Sequence, residues 1–176
     1  MLYKMDWKKG LRRKNMWMII SDTHDNMKVV EEVPYVVEKY KVDSIFHCGD
    51  FVAPFVLKSF MIPGVDFFGV FGNNDGEKIL LSKKSDGRIT YGPTAIEHQG
   101  KKIFMMHEPY SLMPAESSGL YDYVFFGHTH EVVFRQHGKT LIINPGEACG
   151  WVRGVASCVL LEPDSNKYVL HKFIQN

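Results

Sequence analysis

Trp17-Met18-Ile19-Ile20-Ser21-Asp22-Thr23-His24 and Tyr123-Val124-Phe125-Phe126-Gly127-His128-Thr129-His130 follow one plan. In each, a short apolar run stops at side chains of metal-ligand type. Such a run, closed by a polar turn, reads as a buried strand. The plan recurs three times. Ser44 to His47 precedes Gly49-Asp50, Phe67 to Phe71 precedes Gly72-Asn73, and Ile103 to Met106 precedes His107. Each polar residue then lies just past a strand's C-terminal end, the edge along which open α/β sheets build their sites.

The residues so placed are Asp22, His24, Asp50, Asn73, His107, His128 and His130. Two Asp, four His and one Asn are enough to hold two divalent metals with one carboxylate shared. That is the apparatus of metal-assisted phosphate ester hydrolysis. The mixed nitrogen and oxygen donors favour a first-row transition metal over calcium. The glycines before Asp50, Asn73 and His128 are expected to allow tight turns at the strand ends.

Outward from these motifs, the first half of the chain reads β-α-β-α and the second half mostly β. Met27, Val30, Val33, Val36 and Val37 have helical spacing within 26–40, where Pro34 is expected to kink or divide the helix. Strands are expected over 42–47 and 65–71. A short helix is expected over 53–61, with Pro54 near its first turn, and a short helix or turn over 76–82. Short strands follow at 88–91, 94–98, 101–106, 132–136 and 140–143, with His137-Gly138 as a hairpin turn. Segments 156–162 and 168–173 close the chain as a pair. The expected fold class is α/β: a four-layer αββα sandwich of two mixed β-sheets packed face to face and flanked by helices.

The 176 residues point to one domain over 16–176, preceded by a basic extension over 1–15 that reads as a frayed arm. That extension carries Lys4, Lys8, Lys9, Arg12, Arg13 and Lys14 against Asp6. The net charge of the whole chain is +1, so the rest is net acidic. This argues against nucleic acid as a partner, since the domain shows no basic stripe with interleaved aromatics. No apolar stretch is long enough to span a bilayer, and Met16 to Ile20 is too short for a signal peptide core. Cys48, Cys149 and Cys158, an odd number in apolar or small-residue contexts, read as buried thiols and place the chain in the cytoplasm.

The ordered string Asp22-x-His24, Gly49-Asp50, Gly72-Asn73-Asn74-Asp75, His107, Gly127-His128-x-His130 resembles the calcineurin-like metallophosphoesterase superfamily. It is most similar to the superfamily's small single-domain prokaryotic phosphodiesterases, a branch that also holds the phosphoesterase-like scaffold subunit of retromer. The resemblance implies that Asp22, His24 and His130 hold one metal. It assigns Asn73, His107 and His128 to a second, and Asp50 to the bridge between them. It implies two divalent transition metals, Mn first, with Ni, Fe, Zn or Co as alternatives. The reaction implied is in-line attack of a metal-bridging hydroxide on a small phosphodiester, with Asp50, Asn73 and His107 at its centre. The chain departs from the family pattern at Asn74, where relatives carry a histidine near the leaving group. It departs again at Glu108 and at Glu147 of Asn144-Pro145-Gly146-Glu147.

Blander readings stand beside these. Any one of His24, His107 or His128 alone fits a hydrogen-bonded core histidine, and Asp22 or Asp50 alone fits a turn former. Their joint occurrence, with the pair His128 and His130, is what those readings leave unexplained. Asp25 and Asp75 are expected in turns or supporting a ligand. His47, His98, His137 and His171 are expected to be structural or exposed, and Glu108 and Glu147 to face solvent, with reach to the site mouth as the alternative for either. Tyr110, Tyr121 and Phe51 fit core or rim packing better than substrate stacking. Alternatives to a phosphodiesterase are a non-catalytic scaffold, which has no need of a complete ligand set, and a nuclease. Homo-oligomerisation stays open.

Overall fold

The computed structural model of the protein describes residues 15–174. The expected basic arm therefore lies, up to residue 14, outside the described residues. The elements in chain order are β1 (Trp17–Ile20), α1 (Met27–Tyr40), β2 (Ser44–His47), β3 (Asp66–Val70), α2 (Lys78–Lys84), β4 (Ile89–Thr90), β5 (Thr94–His98), β6 (Lys101–Met105), α3 (Leu112–Ser117), β7 (Tyr123–Phe125), β8 (Val132–His137), β9 (Thr140–Pro145), β10 (Ser157–Glu162) and β11 (Lys167–Lys172).

The strands form two mixed sheets. One runs β11-β10-β1-β2-β3-β4 and the other β5-β6-β7-β9-β8. In the first, β1, β2, β3 and β4 are parallel. In the second, β6, β7 and β9 are parallel. The site grows from the C-terminal ends of these parallel strands.

Period-two alternation assigns each strand residue to a layer. Trp17 and Ile19 of β1, Phe46 of β2, Tyr123 and Phe125 of β7, Leu141 and Ile143 of β9, and Val159 and Leu161 of β10 meet between the sheets. The alternate residues Met18, Ile20, Ile45 and Leu160 pack outward against Val29, Val30, Val33, Val36 and Val37 of α1. Val124, Phe126 and Ile142 pack outward on the other side, against Ala115 and Leu112 of α3. Helices thus cover both outer faces, and the αββα layering follows.

Several local expectations needed adjustment. Pro34 neither divides α1 nor ends it; the helix runs through it from Met27 to Tyr40. Five buried valines on one face, Val29, Val30, Val33, Val36 and Val37, hold those turns together on both sides of the missing N–H. The helix stops where Lys41 adopts a left-handed backbone, its N–H bonding Glu38 O while the Val42 N–H bonds Val37 O, a Schellman ending. The segment over 53–61 is a 3-10 helix, Pro54–Ser59. The short helix after residue 76 is α2, Lys78–Lys84. The second half also contains α3, which the strand-rich reading lacks. Among the described residues no helix is long and apolar enough to cross a membrane.

Candidate metal centre

Three loops at one end of the six-stranded sheet and three at the end of its partner converge. The loop after β1 is bonded to the loop after β2 through Asp22 N–H to Gly49 O at 3.0 Å and His24 N–H to Asp50 O at 3.1 Å. It is bonded to the loop after β9 through Cys149 N–H to Asp22 O at 2.9 Å. The His128 N–H donates to Asp22 Oδ2 at 3.1 Å, joining the two sheets at the site.

Five of the seven expected ligands sit in left-handed backbone: Asp22 (φ 54°), His24 (44°), Asp50 (59°), His128 (67°) and His130 (58°). Each such non-glycine residue costs on the order of 1–3 kcal/mol, and clusters of them mark functional sites. The three preceding glycines do different work. Gly49 has φ +101° and serves a turn, as expected. Gly72 and Gly127 serve close approach. A Cβ on Gly72 would meet Asp50 Oδ1 at 2.1 Å, and one on Gly127 would meet Ser21 Oγ at 2.0 Å.

All seven expected residues come together, in two overlapping groups. In the first, Asp22 Oδ1 lies 3.3 Å from His130 Nε2 and 3.8 Å from His24 Nε2. In the second, Asn73 Oδ1 lies 2.9 Å from His107 Nε2 and 3.0 Å from His128 Nδ1. Asp50 Oδ2 reaches both, 3.5 Å from His24 Nε2 and 3.3 Å from His107 Nε2. Asp22 Oδ1 is buried and has no hydrogen-bond partner among the described residues. An orphaned carboxylate oxygen facing two imidazole nitrogens is costly unless a cation completes it. This donor set fits a divalent transition metal.

The ring orientations suit ligation. His107 Nδ1 lies 2.7 Å from Cys48 O, and a carbonyl only accepts, so Nδ1 carries the proton and Nε2 is turned to the site. In the metal-free protein burial opposes charge on His107, yet the Asp50 and Asp22 carboxylates hold its pKa above the ordinary value. Burial likewise works against the Asp50 carboxylate. Hydrogen bonds from His107 and Asn74 outweigh it and keep the group ionised far below the usual carboxylate range. The His130 pKa is raised to about 9, first by Asp22 and then, against burial, by Glu147.

Residues around the ligands fix them in place. The Asp75 carboxylate accepts N–H bonds from Gly72 at 2.7 Å, Val52 at 2.8 Å and Asp50 at 3.2 Å. It therefore ties the loops after β2 and β3 together, the supporting role expected of it. Asp25 accepts the Ala53 N–H at 3.0 Å. Asn74 donates to both Asp50 oxygens, Nδ2 to Oδ2 at 2.7 Å and backbone N to Oδ1 at 2.8 Å.

His47 is fully buried, and burial lowers its pKa well below the ordinary value. The Gly49 N–H bonds its Nδ1 at 3.2 Å, so Nε2 carries the proton toward Thr23 Oγ1, also at 3.2 Å. Thr23 in turn donates to Asp50 O at 3.2 Å.

One expectation at the rim is corrected. Glu147 does not face solvent: it is 1% exposed and its Oε2 lies 2.6 Å from His130 Nδ1. Trp151, absent from the sequence reading, is exposed beside the site, its ring 6.3 Å from that of His24 at 30°. Phe51 is core, stacked on His47 at 3.6 Å, and Tyr121 packs on Phe104 at 4.8 Å. Tyr110 is exposed and donates to Glu108 Oε1 at 2.8 Å. Glu147 had a usable signal, since it follows strand β9 as Asp22 follows β1.

Known proteins share this architecture. A sequence profile of the calcineurin-like phosphoesterase superfamily domain matches residues 16–166. A phosphodiesterase of Methanocaldococcus jannaschii is 35% identical over 156 residues, covering 85% of this chain and 94% of that protein. The solved structure of an archaeal phosphodiesterase superposes with a TM-score of 0.82 at 34% identity, over 89% of this chain and 99% of that one. A variant of Vps29 from Entamoeba histolytica reaches a TM-score of 0.64 at 16% identity, over 90% of this chain and 99% of that one. That last likeness is one of fold.

Proposed function

Because the chain belongs to the calcineurin-like phosphoesterase superfamily, we propose that its imidazole–carboxylate cluster is a two-metal centre for phosphodiester hydrolysis. Asp22, His24 and His130 would hold one divalent transition metal and Asn73, His107 and His128 the other. Asp50 would be shared between them. The observation that carries the reading is Asp50 Oδ2, placed within 3.5 Å of a ring nitrogen from each group.

When bound, two such ions lower the pKa of a water and offset charge on the phosphoryl oxygens. The chain's own residues do the rest. Asn74 and the Asp75-tied loops hold the Asp50 carboxylate in one orientation. The Cys48 carbonyl keeps the His107 Nε2 lone pair toward the site. Asp50, Asn73 and His107 form the side of the centre at which the phosphoryl group is expected to react. Trp151 lies beside His24, and Tyr110 shares the lining of a small cavity with His107, so both stand at the rim of the centre.

The test is a metal-by-substrate screen on metal-stripped protein. Hydrolysis of bis(p-nitrophenyl) phosphate should be absent without metal and return with Mn²⁺, and to differing extents with Ni²⁺, Fe²⁺, Zn²⁺ or Co²⁺. Turnover that is equal with and without metal would contradict the reading, as would inactivity with all five ions.

A further inference from the structure

Glu147 is a buried carboxylate whose contacts point two ways. Toward the site, its Oε2 lies 2.6 Å from His130 Nδ1. On the other side of that ring, Nε2 faces Asp22 Oδ1 at 3.3 Å. Away from the site, Glu147 holds the loop after β9. Both its oxygens accept the Val152 N–H at 3.0 Å, and Oε1 accepts the Arg153 N–H at 2.5 Å. The Cys149 thiol adds a weak contact to Oε2 at 3.5 Å. The same loop carries Trp151 alongside His24.

We propose that Glu147 is a positioning residue for the metal centre: it fixes His130 with its proton on Nδ1 and its Nε2 lone pair toward the metal, and it locks that orientation to the Trp151 loop. The proposal rests on the two-metal reading above. The physical reason is one of donors and acceptors. A carboxylate only accepts, so the nitrogen facing it must donate, which leaves the other nitrogen free to ligate.

The amide of Glu147→Gln reverses that constraint with little change in volume. Two loop N–H groups already converge on Oε1, so the amide oxygen stays there and the NH₂ group turns to His130. The nitrogen facing it must then accept, which puts the ring proton on Nε2, where it blocks ligation. Partners of this kind typically change metal affinity by about 10–100-fold.

The experiment compares wild type and Glu147→Gln, both metal-stripped, by calorimetric titration with Mn²⁺, by the Co²⁺ absorption spectrum and by melting without metal. The expected result is two Mn²⁺ equivalents in wild type and one of them weakened by about 10–100-fold in the variant. The variant's Co²⁺ bands should shift as an imidazole ligand is lost, with the metal-free melting temperature within about 3 °C of wild type. Should Glu147→Gln not fold, Glu147→Ser replaces it, since water fits beside its hydroxyl to serve the loop, and the same loss is expected. A variant with wild-type Mn²⁺ affinity and an unchanged Co²⁺ spectrum, whatever its melting temperature, would show Glu147 to be a loop anchor alone. Wild type that binds no metal would remove the two-metal reading and this proposal together.

Discussion

Asn74 donates twice to Asp50, and those two bonds set what both residues can do. Asp50 accepts from Asn74 and lies between imidazoles, so its loss should affect both metal groups at once. Asp50→Ala is expected to abolish hydrolysis and reduce bound metal, while exposed His137→Ala leaves both unchanged. Elemental analysis and turnover of the two variants check this. An amide cannot act as a general acid near neutral pH, and such help is typically worth roughly 10²–10⁴-fold. Poor leaving groups should therefore suffer most. In a series of diesters that share one retained ester, rates should fall steeply from nitrophenol to alkyl alcohols. A flat series would show that some other group supplies the proton. The convergence of the seven expected residues was legible in sequence because each follows a strand, where chain geometry leaves few places to go. Glu147 obeys the same rule after β9, but a glutamate beside Gly146 reads as solvent-facing. Its partners Val152 and Arg153 contribute backbone N–H groups, which no side-chain pattern reveals. Nor did any pattern mark Trp151, a lone aromatic in a loop.

Helix α1 shows how packing overrides a local preference. An interior proline costs about 3 kcal/mol relative to alanine. Its restriction of the unfolded chain returns up to about 1 kcal/mol. Pro34 is on the exposed face, and the buried face of Val29, Val30, Val33, Val36 and Val37 is unaffected by replacing it. Pro34→Ala should accordingly stabilise the protein by about 2 kcal/mol, read as a higher urea midpoint with unchanged slope. A destabilised variant would mean that the proline ring itself packs. The strands were legible because alternate residues are buried on opposite faces and the runs end at turn residues. Helix α3 was not. Six residues with Pro114 among them, following the 3-10 turn Pro109–Ser111, are too few to display a 3.6-residue period. What holds it is Ala115 and Leu112 against Val124, Phe126 and Ile142, a tertiary contact.

At the scale of the whole molecule, the site makes the stability of the metal-free fold depend on pH. The His130 pKa is raised from 6.5 to about 9. Proton binding there contributes stability that is complete below about 6.5 and lost as the pH rises through about 9. His107 is shifted the same way. Asp50 and Glu147 are shifted down, so their contributions are present above the ordinary carboxylate range and lost only in acid. Between pH 6.5 and 9 the melting temperature of metal-free protein should therefore fall. Metal must displace the same protons, so its affinity should rise over that interval. Saturation at 100 times the dissociation constant adds about 2.7 kcal/mol per site. Melting in chelator and in excess Mn²⁺ at three pH values checks both slopes, and parallel curves would contradict them. The central claim is that two metals share Asp50. Anomalous diffraction from Mn²⁺-soaked crystals at neutral pH tests it most directly. Two peaks are expected, roughly 3.5–4 Å apart, one beside Asp22, His24 and His130 and one beside Asn73, His107 and His128, with the Asp50 carboxylate between them. A map with no peak beside Asp50, or a lone peak away from it, would contradict the account.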